Sequence, residues 1–173
     1  REKWINAGYD DYACKCVDFE AELEKDKAEI EVKYRLKSKK SPLSLAEVKV
    51  EYSVYAGGAV KVEAKFNPIS KKRLAAHMPR FGLTLEMPKE FRNVEYYGMG
   101  ECENLSDLYA QATVGVYNTT VDEMHEPYIR PQDSGNRTKV RYLAVTDGDG
   151  CGLKFDFDDN YFNFNVREFS QKL

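Results

Sequence analysis

Three stretches of this chain hold residue types and spacings that can do chemistry. The first is "YGMGECENLSD" (Tyr97 to Asp107), where glycines alternate with the carboxylates Glu101, Glu103 and Asp107. A dinucleotide loop needs GxGxxG opening a helix; here the third glycine is missing, and Glu101 and Glu103 would repel phosphate. Three carboxylates this close could serve acid/base work or hold a cation. The favoured reading is a turn bent at its glycines, with the acids on its surface or paired with arginines. The second stretch, "DGDGCGLKFDFD" (Asp147 to Asp158), has Asp at positions one, three and twelve of a twelve-residue loop and Gly at six. Its fifth position is Cys151, a poor ligand for a hard cation, and its end alternates as a strand rather than a helix, so a hairpin turn is expected. The third is "HEPYIRPQDSGNRTKVRYLAV" (His125 to Val145), with two prolines, a glycine, a carboxylate and basic residues feeding an alternating run. His77 and His125 make no HxxxH or HxH spacing, and neither a metal triad nor a Ser–His–Asp relay can be assembled around them.

The remaining candidates are the cysteines and aromatics. Cys14, Cys16, Cys102 and Cys151 match no zinc spacing and imply no disulfide framework, so buried free thiols in a reducing cytoplasm are expected. "NTT" at Asn118 and "NRT" at Asn136 are sequons by pattern alone. Trp4, Tyr96 and Tyr97 could stack on sugars, although in a chain this aromatic most such rings belong to the core.

The elements that must position these residues read as strands. In "AEIEVKYRLKSKK", Ile30, Val32, Tyr34 and Leu36 alternate with Glu29, Glu31, Lys33 and Arg35, the mark of a half-solvated antiparallel strand. "VKVEYSVYAGGAVKVEAKF" predicts a hairpin: Val48, Val50, Tyr52 and Val54 form a face, Gly57-Gly58 turns, and Val60, Val62, Ala64 and Phe66 return. "TKVRYLAVTDGDGCGLKFDFD" repeats that plan, and "YFNFNV" adds another run. "DFEAELEKDKAEI" has helix-forming composition, but Phe19, Ala21 and Leu23 keep period two, so it is assigned as strand. "CENLSDLYAQA" is the one short helical turn expected, capped by Asn104 or Ser106. Many strands and few helices predict an all-β sandwich.

At 173 residues, with 42% hydrophobic and 13% aromatic content, the chain is sized for one globular domain spanning 1–173. A net charge of −3 with mixed signs leaves no basic footprint for nucleic acid, and no apolar run is long enough for a membrane helix. The opening residue is not methionine, which suggests a piece excised from a longer chain.

Several motifs, taken together, resemble one family. "YYGMGECENLSD", "YNTTVDEMHEPYIRPQDSGNRTKVRYLAVTD" and "GCGLKF" resemble the C-terminal domain of the large bacterial β-galactosidases of glycoside hydrolase family 2. Gly98, Gly100, Glu103, Asn104 and Asp107 match that family's G-x-G-P-x-E-N/S-Y-x-D turn. Pro127, Tyr128, Ile129, Pro131, Gln132, Gly135, Asn136 and Arg137 match its P-Y-[IV]-x-P-Q-E-N-G-N-R segment. "KWINAGYD" and "MPRFGLTLEMP" extend the likeness along nearly the whole chain. Departures are Glu101 for proline, Leu105 for tyrosine and Asp133-Ser134 for Glu-Asn.

The resemblance implies an antiparallel super-sandwich similar to galactose mutarotases. It also implies a parent that hydrolyses terminal β-galactosides with retention, using two glutamates about 5–5.5 Å apart on a TIM barrel. The barrel carries the family's magnesium and sodium ligands, so no cofactor, metal or catalytic residue is expected in this chain. Its expected partners are the barrel domain of the same parent and, through the parent's active site, the β-galactoside. The family's sugar-stacking tryptophan lies beyond "NFNVREFSQKL". A sandwich lacking its last strands is expected to self-associate through open edges. Two further functions fit the same residues: an independent carbohydrate-binding module, and an aldose mutarotase using His77 or His125 with a glutamate. The prolines of the His125 stretch hold Tyr128 and Ile129 extended, and Asp133, Ser134 and Gly135 turn the chain. Arg137 is expected to tie carbonyls or a carboxylate across that turn, with Val140 and Tyr142 on one face of the next strand and Leu143 and Val145 on the other. The stretch thus reads as a corner that docks on the catalytic domain.

Overall fold

The computed structural model describes residues 2–38, 44–69, 78, 80–130, 134–158 and 160–169. It is antiparallel β almost throughout, as the alternating patterns predict, and divides into two compact units, residues 1–83 and 84–173.

The first unit opens with a helix the sequence reading did not assign, α1 (Glu2–Ala7). It stops at Gly8, whose φ of 83° is the left-handed conformation that glycine tolerates. The Gly8 amide donates to the Ile5 carbonyl and the Tyr9 amide to the Trp4 carbonyl, both at 3.0 Å, which closes a Schellman cap. Four long strands follow: β1 (Tyr12–Leu23), β2 (Lys27–Ser38), β3 (Ser44–Tyr55) and β4 (Val60–Pro68). They form one sheet in chain order. The segment of helix-like composition is strand over residues 18–23 and 27–30 with a turn between them, its two arms paired across the β1–β2 hairpin. The glycine hairpin forms as predicted, and its register sets the two predicted rows against each other, with Val48 opposite Phe66, Val50 opposite Ala64, Tyr52 opposite Val62 and Val54 opposite Val60.

Rows of charge cross the other face of this sheet. Glu20, Glu31, Glu51 and Glu63 stand opposite one another across the four strands. Like charges in that position repel. The next row, Asp18, Lys33, Lys49 and Lys65, relieves the repulsion from the side. Lys49 reaches Glu31 and Glu51 at 2.8 Å each, and Lys65 reaches Glu51 at 3.2 Å. These hydrogen bonds hold the Glu31 and Glu51 carboxyls below the ordinary carboxylate range. All four cysteines are exposed, which corrects the expectation of buried thiols. For Cys14 and Cys16 the reason is topological: β1 is the sheet's edge strand and is exposed along its entire length.

The second unit has two layers. One is the sheet β6-β5-β8-β9, built from β5 (Asn93–Gly100), β6 (Thr113–Thr120), β8 (Tyr142–Thr146) and β9 (Gly152–Asp156). The other is a two-stranded ribbon of β7 (Arg137–Val140) and β10 (Phe162–Phe164). Val94, Tyr96, Leu143 and Val145 of the sheet meet Val140 and Phe164 of the ribbon, with Val121 and Met124 closing one end. The Tyr96 and Phe164 rings meet edge to face, 5.2 Å between centroids. The layers approach closely at Gly98, where a Cβ would lie 2.7 Å from Val140 Cγ2 and 2.9 Å from its Cα.

Two local expectations change here. Val140 and Tyr142 do not share a face of one strand. Lys139 has a φ of 51°, the chain turns at Arg141, and β7 and β8 belong to different layers. Val140 therefore joins Leu143 and Val145 in the core, while Tyr142 pairs beside Tyr97. "CENLSDLYAQA" forms no helical turn either: Leu105 and Leu108 make a small antiparallel bridge, because Asn104 spends its side chain inward instead of capping. The Asp147 stretch is the expected hairpin turn between β8 and β9. The Asp147 carboxylate accepts from the amides of Asp149 and Cys151 at 2.9 Å, so the acid shapes the loop itself.

Candidate functional site

The two motifs that the sequence reading singled out meet in the second unit. β5 ends at Gly100 and delivers Glu103 and Asn104 inward; the chain entering β7 delivers Gly135, Asn136, Arg137 and Thr138 against them. The site is a clasp between these two crossings.

Asn104 is its centre and is fully buried, at 0% exposure. Its side-chain amide donates to the Met99 carbonyl at 2.9 Å and the Cys102 carbonyl at 3.0 Å. Its side-chain oxygen accepts from the Thr138 amide at 2.9 Å and from the Thr138 hydroxyl. The backbone of Asn104 donates to Asn136 O at 3.0 Å, and the Asn136 side chain donates back to Asn104 O at 2.8 Å. An asparagine suits this position because one amide supplies donors and an acceptor without bringing charge into the interior.

Glu103 is the buried carboxylate, 7% exposed. It accepts from the Tyr128 hydroxyl through one oxygen and from the Gly135 amide through the other. The hydrogen bond to Glu103, followed by burial, pushes the Tyr128 phenol from 10.0 up to about 12. Gly135 must be glycine on two counts: its φ is 77°, and a Cβ would sit 2.4 Å from the Met124 carbonyl oxygen. The Ser134 hydroxyl accepts from the Glu126 amide at 2.9 Å, tying the two arms of the loop.

Arg137 is buried, and among the described residues it has no carboxylate partner. Its Nε donates to the Tyr96 hydroxyl at 3.0 Å and its Nη1 to the Asn136 carbonyl at 3.3 Å; the guanidinium also lies 6.0 Å from the Tyr96 ring centroid. Among the described residues no tie across the turn is made: the carbonyl is that of the neighbouring Asn136, and the other partner is the Tyr96 phenol. Burial pushes the Tyr96 phenol upward, with Arg137 opposing that shift. Gly100 makes room, since a Cβ there would meet the Tyr96 hydroxyl at 2.2 Å and the Tyr117 ring at 2.8 Å.

Of the residues singled out from sequence, Gly98, Gly100, Glu103, Asn104, Tyr128, Gly135, Asn136 and Arg137 thus belong to the clasp or make room for it. Asp107 and Pro127 are exposed in their turns, as are Glu101 and His125, and Ile129 is fully exposed. Pro131, Gln132, Asp133 and His77 lie outside the described residues. Tyr96 is core and not a sugar platform; Trp4 is 37% exposed in the first unit. Thr138 and Met124 were not singled out from sequence. The signal for Thr138 was its place, two residues past Asn136 at the start of a strand, where a hydroxyl and an amide can face the same acceptor. Among the described residues, no three His, Cys, Asp or Glu side chains are grouped to hold a metal ion.

Over residues 1–173 the chain matches the family described as the beta galactosidase small chain. It is 30% identical over 175 residues to a β-galactosidase of Actinobacillus pleuropneumoniae, covering 99% of this chain and 16% of that protein. A β-galactosidase of Lactobacillus delbrueckii subsp. bulgaricus is 32% identical over 169 residues, covering 97% and 16%; one of Streptococcus thermophilus is 33% identical over 152 residues, covering 88% and 14%. The chain therefore spans about a sixth of the length of these relatives. The clasp residues lie inside the matched span, and the chain belongs to the beta galactosidase small chain family.

Proposed function

We propose that this chain is a non-catalytic domain of a β-galactosidase of glycoside hydrolase family 2, serving as scaffold and framing the mouth of an active site carried by a separate catalytic barrel. The parent would hydrolyse terminal β-galactosides such as lactose in the cytoplasm, with its magnesium and sodium held by the barrel. One observation carries this reading: the polar groups of Glu103, Asn104 and Arg137 are engaged with other groups of the clasp. A retaining glycosidase needs two carboxylates free to attack and to protonate, about 5–5.5 Å apart. Glu103 instead has both oxygens committed to Tyr128 and Gly135.

The test has two arms. The chain alone, given a chromogenic β-galactoside, should release chromophore no faster than buffer; turnover above that rate overturns the proposal. In the full-length enzyme, Glu103→Gln should lower thermal stability while leaving the pH profile of kcat in place. A moved profile would make Glu103 part of the chemistry and overturn the scaffold role.

A further inference from the structure

We propose that the outer edge of β1 is a self-association surface, pairing antiparallel with β1 of a second copy of this chain about a two-fold axis. β1 is the edge of its sheet, and all twelve of its residues are exposed. An open strand of that length presents a row of unpaired amides and carbonyls, the usual template for a further strand.

The sequence of β1, "YACKCVDFEAEL", selects the register. A bulge at Val17 separates two halves, since Cys16 pairs with Tyr34 and Asp18 with Lys33, leaving Val17 without an opposite residue on β2. On the apolar face stand Tyr12, Cys14 and Cys16 before the bulge, and Phe19, Ala21 and Leu23 after it. On the charged face stand Ala13 and Lys15 before it, and Asp18, Glu20 and Glu22 after it. Placing the two-fold axis between Val17 and Asp18 sets Tyr12 opposite Leu23, Cys14 opposite Ala21 and Cys16 opposite Phe19. It sets Lys15 opposite Glu20 twice. Apolar meets apolar at the first three pairs and opposite charges meet on either side of the axis, while Ala13 faces Glu22 and Val17 faces Asp18 at the axis itself. Side-chain face and amide direction alternate together along a strand, so residues that match in face also match in hydrogen-bonding sense. The bulges fall against each other at the axis, where each copy contributes the same two residues. A slip of one residue would put Lys15 against Phe19 and Cys16 against Asp18, and a slip of two in one direction would leave Glu22 and Leu23 unpaired. The proposed register uses the whole strand.

Charge within the sheet points the same way. The neighbour of Lys15 on β2 is Arg35, and that of Glu20 is Glu31, so each faces its own sign. Among the described residues neither Lys15 nor Glu20 has a salt-bridge partner. A second β1 supplies each with the opposite charge, directly across the strand. Phe19 and Leu23, 62% and 87% exposed, gain apolar neighbours in the same step.

The experiment is sedimentation velocity on the 173-residue chain across a concentration series, with far-UV circular dichroism to confirm folding of each variant. The wild type should form dimers at high concentration. Lys15→Glu and Glu20→Lys should each weaken dimerisation by roughly tenfold, and combining the two reversals in one chain should restore it. Lys15→Gln should fall between. Independently, Phe19→Cys should form an intermolecular disulfide with Cys16 on mild oxidation, located by peptide mapping. A chain that stays monomeric at all concentrations, a dimer indifferent to the charge reversals, or a disulfide to another cysteine would each overturn the register. The outcome does not depend on whether the galactosidase assay of the chain is blank.

Discussion

Replacing Asn104 by alanine should release the clasp. Four hydrogen bonds leave with the side chain: two to the carbonyls of Met99 and Cys102 and two from Thr138. Their partners do not suffer equally. The Thr138 hydroxyl can rotate toward another acceptor, and the Cys102 carbonyl lies at the partly solvated end of the network. The Met99 carbonyl and the Thr138 amide are held in the buried part, where losing a partner exacts the full desolvation cost. At about 1–3 kcal/mol for each stranded buried group, the two together cost roughly 2–6 kcal/mol. A central value near 4 kcal/mol is a large share of the ~5–15 kcal/mol that holds a typical domain folded.

The assay must read the right unit. The only tryptophan is Trp4, in the first unit, so its fluorescence follows that unit and not the clasp. Tyrosines lie in both units, so urea unfolding should be followed by amide hydrogen exchange, with Thr138 and Gly135 as local probes. Asn104→Ala should lower the stability of residues 84–173 by the amount above and speed exchange at both amides. Asn104→Asp should do no better, since a carboxylate keeps the acceptors for Thr138 but turns negative charge toward two carbonyls. If Asn104→Ala stays within about 1 kcal/mol of wild type and the Thr138 amide keeps its protection, the clasp is not what holds the two crossings together.

Other outcomes follow from the same geometry. Gly135→Ala and Gly150→Ala both force a side chain into a positive φ, 77° and 81°, but only at 135 would the new Cβ collide with backbone, at 2.4 Å from Met124 O. Both should lose the ~1–2 kcal/mol of left-handed strain in urea melts, with a clearly larger loss at 135. The Tyr128 phenol, raised from 10.0 to about 12, stabilises the folded state fully below pH 10; that stabilisation is lost as pH rises through about 12. Absorbance titration should show Tyr128 among the late phenols, with one fewer of them in Tyr128→Phe, and Glu103→Gln should return it toward 10.0. Lys49→Gln removes the cation between Glu31 and Glu51, which face each other across β2 and β3. Carboxyl titration by NMR should then show both moving upward. Lowered carboxyls stabilise the fold above their unfolded pKa, so in the wild type that support fades as pH falls through the lowered values, whereas the variant, with less of it to lose, should show a shallower acid loss that ends at higher pH.

What the sequence could disclose depended on whether a residue's role was set locally. The hairpin of β3 and β4 was legible down to its turn and the face its apolar residues share, because alternation and a Gly-Gly turn fix both within about twenty residues. The clasp was legible as two motifs but not as one site. The bonds joining Glu103 to Gly135 and Asn104 to Thr138 span 32 and 34 residues, and no local pattern says which acid will be buried. Glu101, Glu103 and Asp107 look alike in the chain; only Glu103 points where a phenol and a glycine amide can neutralise its burial. The break between Val140 and Tyr142 escaped for the opposite reason. Alternation counts residues and assumes an unbroken strand, whereas the positive φ of Lys139 turns the chain after three residues and carries it to another layer. That turn also sets Val140 over Gly98, so the first motif's glycine and the second motif's strand fit each other only when the break is present. The two motifs therefore constrain one another: Gly98 admits the ribbon, the ribbon presents Thr138, and Thr138 fixes Asn104, five residues beyond the glycine's neighbour Met99.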